Sequence, residues 1–98
     1  MNNKVETYIG FAIKKGSVIF GCDNIEKYRK KIRLVLYTGT LSDNSLSVLK
    51  AVSDGKKCPL IKIENYDVLV KRNCKALAIT DVSLANAIIE NLMLVAGR

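Results

Sequence analysis

The chain has no histidine, no tryptophan, one proline and three cysteines. Without histidine, Ser-His-Asp and Cys-His nucleophilic catalysis are excluded. Cys22, Cys58 and Cys74 are odd in number, have no paired spacing, and lack a histidine that would complete a zinc site. They are expected to be reduced thiols of a cytoplasmic protein. A signal peptide is not expected, because the apolar run 8–13 is short and sits inside a helical pattern. The apolar stretch 82–96 is broken by Asn86, Glu90 and Asn91 and falls short of the roughly 20 residues that span a bilayer. No membrane role is expected. Carboxylates are the scarce charge, nine against sixteen Lys and Arg, for a net charge of +7.

A hydrophobic content of 49% over 98 residues is enough for a single folded domain, residues 1–98, with its own core. The cation excess is local: Lys14 to Arg33 carries seven cations against Asp23 and Glu26. Such clustering points to a polyanion, nucleic acid above all, and is weighed against an ordinary solvated lysine face.

Val5, Tyr8, Ile9 and Ala12 step at helical spacing and predict a first helix over 3–14. A strand from Ser17 to Phe20 follows, then a basic helix from about Asn24 to Lys31 and a buried strand, Leu34 to Tyr37. Ser42 is placed to cap a third helix bearing Leu46, Leu49 and Val52, with Gly55 closing it. Pro59 opens a strand, Leu60 to Ile63, and Tyr66, Leu69 and Val70 predict a short helical turn. Ala76 to Thr80 is a further strand, and Asp81 or Ser83 caps a last helix carrying Leu84, Ala87, Ile88, Leu92 and Val95. Helices alternating with short buried strands predict an α/β fold, a three-layer α/β/α sandwich around a mixed sheet of about four strands.

The segment KGSVIFGCDNIEKYRKK, Lys15 to Lys31, concentrates the chemistry. Gly16 and Gly21 punctuate the strand, and Asp23 with Glu26 has capping-box spacing. On the predicted helix, Ile25, Tyr28 and Ile32 share one side, while Asn24, Lys27 and Lys31 share another with Lys30 beside them. The glycine-to-helix junction can offer amides to a phosphate, but it has neither the second glycine nor the Gly-Lys-Ser/Thr ending of a Walker loop. Cys22, at the same junction, is either a small half-buried filler or a thiol activated by the helix start. Arg29 lies one position off the Cys-x5-Arg spacing of phosphatase loops.

The stretch GSVIFGCDNIEK resembles the G-K-I-x-x-G-A-N-E-V-T-K segment of the L-seven-Ae and L-thirty-e superfamily of ribosomal and kink-turn-binding proteins, especially its small bacterial members. Gly16, Val18, Gly21, Ile25 and Lys27 match in register. The leading YIGFAIKKG, the strand RLVLYTG and the later ALAITDVSLA fall in the family's order, so the likeness covers nearly the whole chain.

The resemblance implies an L-thirty-e-like fold and a non-enzymatic, ribosome-associated protein that binds structured RNA, a kink-turn or ribosomal RNA, without metal or cofactor. In the family this helix start enters the widened major groove and reads sheared G·A pairs. Carried over, Lys27 keeps its partner chemistry. Asp23 stands where the family has asparagine, turning a donor into an acceptor-only carboxylate, or simply capping the helix. Asn24 stands for a glutamate. The Gly21 and Cys22 amides are expected to approach the RNA backbone, Lys27 and Asn24 to read bases, and Lys30, Lys31, Arg72 and Lys75 to neutralise phosphates. Lys71, Arg72, Asn73 and Lys75 occupy the family's second contact loop; Gly39 and Thr40 replace an acidic pair at the third. The alternative is a protein-interaction module on the same fold, using Met93, Leu94 and Val95 of the final helix. A thiol enzyme centred on Cys22 is the remaining option.

Overall fold

Alternation along two central strands sets the architecture. In β2 (Leu34–Thr38) Leu34 and Leu36 point to one side and Val35 to the other; in β4 (Ala76–Ile79) Leu77 and Ile79 oppose Ala76 and Ala78. Both faces are apolar, so both must be covered. The computed structural model describes residues 4–96, with side chains as far as Leu92. It contains a four-stranded mixed sheet in the order β1-β4-β2-β3, where β1 is Val18–Phe20 and β3 is Leu60–Ile63. β4 runs antiparallel to both β1 and β2, and β2 is parallel to β3.

Helices α1 (Lys4–Lys15) and α5 (Val82–Ala96) pack together on one face. Val5, Ile9, Ala12, Ala85 and Ile88 there meet Leu34, Leu36, Leu77 and Ile79. On the other face α2 (Cys22–Lys27) and α3 (Asp43–Lys56) bring Ile25 and Leu49 onto Val35, Ala76 and Ala78. The small β4 alanines let this second layer sit close to the sheet. The expected short helical turn is α4 (Asp67–Lys71), which places Leu69 in the first core, with Tyr66 just before it, and leaves Val70 55% exposed. The three-layer sandwich is therefore the observed fold.

Three local expectations give way. Asp23 is not the cap of α2: Gly21 is, at φ 86°, and Asp23 sits in the first turn. The basic helix stops at Lys27 instead of running to Lys31, with Tyr28 extended at φ −68°, ψ 126°. Past that end the Lys56 ammonium takes the carbonyls left without helical partners, Tyr28 at 3.0 Å and Lys30 at 2.6 Å. Ile32 still reaches the core, but from an irregular segment, so Lys27 and Lys31 share no helix face. Gly55 does not close α3; the helix runs through it to Lys56, and Lys57 ends it in the left-handed region at φ 56°.

Two capping expectations hold. The Ser42 hydroxyl accepts the Ser45 amide at 3.2 Å, and Asp81 rather than Ser83 caps α5, accepting the Leu84 amide at 2.9 Å. The side chains of Met93, Leu94 and Val95 lie outside the described residues. No described helix is long and apolar enough to cross a membrane.

Candidate nucleic-acid interface

The sheet topology brings three separate segments to one edge. β1, β2 and β3 all end where β4 begins, so residues 20–24, 38–40 and 71–76 converge there. Backbone bonds stitch them together: the Gly21 amide donates to the Ala76 carbonyl at 3.0 Å, and the Thr38 amide to the Lys75 carbonyl at 2.9 Å. The Arg72 guanidinium lies 4.9 Å from the centre of the Phe20 ring, a cation–π contact between the first and third segments. Thr38 and Thr40 share a hydroxyl hydrogen bond at 2.9 Å. Arg72, Asn73 and Lys75 are exposed around this edge.

Within it, each expected residue acquires a definite place. The Gly21 amide is committed to β4, so it cannot also approach a ligand, which corrects its expected role; the glycine is required instead for its positive φ. Cys22, Asp23 and Asn24 form the first turn of α2, where amides have no intrahelical acceptor. Asp23 and Asn24 are exposed, and the Asn24 amide donates to the Phe20 carbonyl at 2.8 Å. One of its donors is thus spent closing the end of β1. Asn73 takes the left-handed conformation at φ 51° that follows α4, a conformation asparagine tolerates. Lys62 completes the edge unannounced: its Cε lies 3.1 Å from where a Cβ on Gly39 would stand. The alternation of LIKI, with Lys62 exposed between two apolar residues, was the available sign.

The remaining cations lie elsewhere. The Arg33 amide bonds the Ile79 carbonyl and the Val35 amide the Pro59 carbonyl, which puts the 28–33 segment at the opposite edge of the sheet. Lys30 and Lys31 therefore do not join Arg72 and Lys75. Lys27, one turn beyond Asn24 on α2, stands between the two groups and lines an open depression of about 590 Å³ with Glu26, Tyr28, Arg29 and Lys56.

Burial pushes the Cys22 thiol up; a Ser45 hydrogen bond opposes this, and the Asp23 and Glu26 carboxylates add to it. The net direction favours the protonated thiol over the thiolate. Burial likewise raises Cys74, whose thiol donates to the Ala76 carbonyl at 2.8 Å, and Cys58. No cluster of three or more metal-ligating side chains occurs among the described residues.

No family model matches the chain, and no curated protein matches it. Among solved structures it is similar to one described as "The structure of a protein with unknown function from Bacillus halodurans C", with a TM-score of 0.80 over 91% of this chain and 96% of that one. At 13% identity this likeness shows a shared small α/β fold with a four-stranded mixed sheet.

Proposed function

We propose that this protein is a non-enzymatic binder of structured RNA, of the kink-turn type and associated with ribosomal RNA in the cytoplasm, in the L-seven-Ae and L-thirty-e superfamily. The observation that carries the reading is the convergence of residues 20–24, 38–40 and 71–76 at one sheet edge, the same three segments that the resemblance marks as RNA contacts. Separate loops tied by backbone bonds make a preorganised surface, and exposed Arg72, Lys75 and Lys62 give it the charge a phosphate backbone requires.

The division of labour follows from the contacts. Arg72 and Lys75 neutralise phosphates, and Arg72, held over Phe20, keeps a defined direction. Lys27 donates to a guanine acceptor edge, and the free lone pairs of Asn24 accept from a guanine donor. Asp23 can accept but not donate, so it weakens rather than supplies base reading. A protein-interaction module on the same fold is the competing reading, favoured by that exposed carboxylate.

The test is a titration of a kink-turn RNA at several salt concentrations. Binding through phosphates should weaken by roughly 0.7 to 0.9 log units per log unit of salt for each contact. Arg72→Gln and Lys75→Gln should each lower that slope by about one. Salt-independent binding, or slopes untouched by both substitutions, would move RNA away from this edge.

A further inference from the structure

The densest positive charge of the protein lies at the sheet edge away from the site just described. Arg29, Lys30, Lys31 and Arg33 are all exposed along the segment after α2. Lys57, also exposed, and half-buried Lys56 flank them where α3 ends. Asp23, Glu26 and Asp54 are the carboxylates near in sequence, fewer than these cations, and the ion pair between Lys15 and Asp81 lies elsewhere. The strip is thus not neutralised by the protein itself.

It is also held in shape. The Lys56 ammonium bonds the carbonyls of Tyr28 and Lys30 and lies 5.8 Å from the centre of the Tyr28 ring, while Ile32 is buried below. This fixes the backbone from which Arg29, Lys30, Lys31 and Arg33 project. The two edges are separated by four residue steps of β2, about 13 Å of sheet.

We propose that this strip is a second RNA-binding surface that grips the phosphate backbone of a duplex without reading sequence, and that one molecule bridges two RNA segments through its two edges. The bridging half of this inference rests on the reading of the first edge as an RNA site; the strip stands without it. The surface chemistry selects the partner. Tyr28 is half-buried beside Lys56, so no exposed aromatic in the strip offers a platform for unpaired bases. The exposed large hydrophobics Phe11, Val70 and Val82 all lie outside it, so it lacks the apolar anchor that a membrane surface or a protein hot spot demands. Exposed arginine and lysine alone fit a regular array of phosphates.

The experiment compares the native protein with Arg29→Glu/Lys31→Glu/Arg33→Glu and with Arg72→Glu/Lys75→Glu. The probes are a plain RNA duplex and a kink-turn RNA, with filter binding from 50 to 200 mM salt. The strip variant should bind the plain duplex at least about tenfold more weakly, with a salt slope reduced by about 2 to 3, yet keep its preference for a kink-turn over the same RNA with disrupted G·A pairs. The Arg72/Lys75 variant should lose affinity for the kink-turn and retain the plain duplex. Native protein alone should recruit labelled duplex to an immobilised kink-turn RNA.

Equal binding of the plain duplex by native protein and strip variant overturns the inference, as does capture of vesicles of anionic lipid or of an acidic protein in place of RNA. Duplex binding through the strip with no kink-turn preference keeps the strip and defeats the reading of the first edge. Because the three side chains are exposed, the variant should fold. Arg29→Gln/Lys31→Gln, which removes charge without reversing it, gives a milder second comparison with the same direction.

Discussion

Alanine at Gly21 and alanine at Gly10 should move stability in opposite directions. Gly21 sits at φ 86°, ψ 148°, bordering a region that only glycine occupies readily, and a Cβ there would meet no heavy atom within 4 Å. No clash contributes, so the cost of Gly21→Ala is conformational, roughly 1 to 3 kcal/mol. Relaxing φ to escape it would draw the amide away from the Ala76 carbonyl, 3.0 Å distant, and exchange strain for a lost backbone bond of about 1 kcal/mol. Gly10 lies mid-helix in α1 without a positive φ and with equal space, so Gly10→Ala should stabilise by about 0.5 to 1 kcal/mol. In a domain of this size 1 kcal/mol moves Tm by roughly 4 to 8 °C. Urea unfolding followed by far-ultraviolet circular dichroism should show the two midpoints on either side of native, with m unchanged. A Gly21→Ala protein within about 0.5 kcal/mol of native would refute the backbone geometry that joins β1 to α2 and, with it, the assembly of the edge.

Three further outcomes are expected. The Lys15 ammonium and the Leu84 amide hold the Asp81 carboxyl below its ordinary value of 3.8. Its contribution is complete above that value and is lost as pH falls through the lowered folded value, so Asp81→Asn should flatten the acid limb of stability against pH. Cys22→Ala should cost on the order of 1 kcal/mol and leave RNA binding intact, and alkylation of native Cys22 at pH 7 should be slower than that of a free thiol, because burial keeps it protonated. Lys56→Met removes the donor to the Tyr28 and Lys30 carbonyls; about 1 kcal/mol of stability should go, and amide exchange over residues 28–32 should quicken.

The parts of the fold legible in the sequence are those governed by burial. Leu34 to Tyr37 reads as a strand covered on both faces because a continuous apolar run has few other uses, Ala76 to Thr80 reads as a further strand, and β2 and β4 form the centre of the sheet. Ser42 and Asp81 were legible as caps because a short polar side chain before an apolar helical pattern has a local partner. What stayed hidden depends on contacts distant in sequence. Nothing near Tyr28 announces that the chain turns extended there and that Lys56, 28 residues on, takes its carbonyl. The capping-box spacing of Asp23 and Glu26 was locally sound, but the bond from Gly21 to Ala76 starts the helix one residue after the glycine. For the same reason the segment Lys15 to Lys31 divides between two surfaces: Gly21 to Asn24 joins Arg72 and Lys75, whereas Lys30 and Lys31 follow the chain to the far edge.

The most direct measurement of the central reading is the affinity ratio between a kink-turn RNA and the same RNA with its G·A pairs disrupted, taken for native protein, Lys27→Ala and Asp23→Asn. Native protein should prefer the intact kink-turn, and Lys27→Ala should abolish that preference. Asp23→Asn removes a carboxylate beside phosphates and restores a donor, so it should tighten kink-turn binding by on the order of 1 to 3 kcal/mol. An unselective native protein that Asp23→Asn leaves unselective would contradict the account: the fold would then serve a protein partner, and the edge formed by β1, β2 and β4 would not be a kink-turn site.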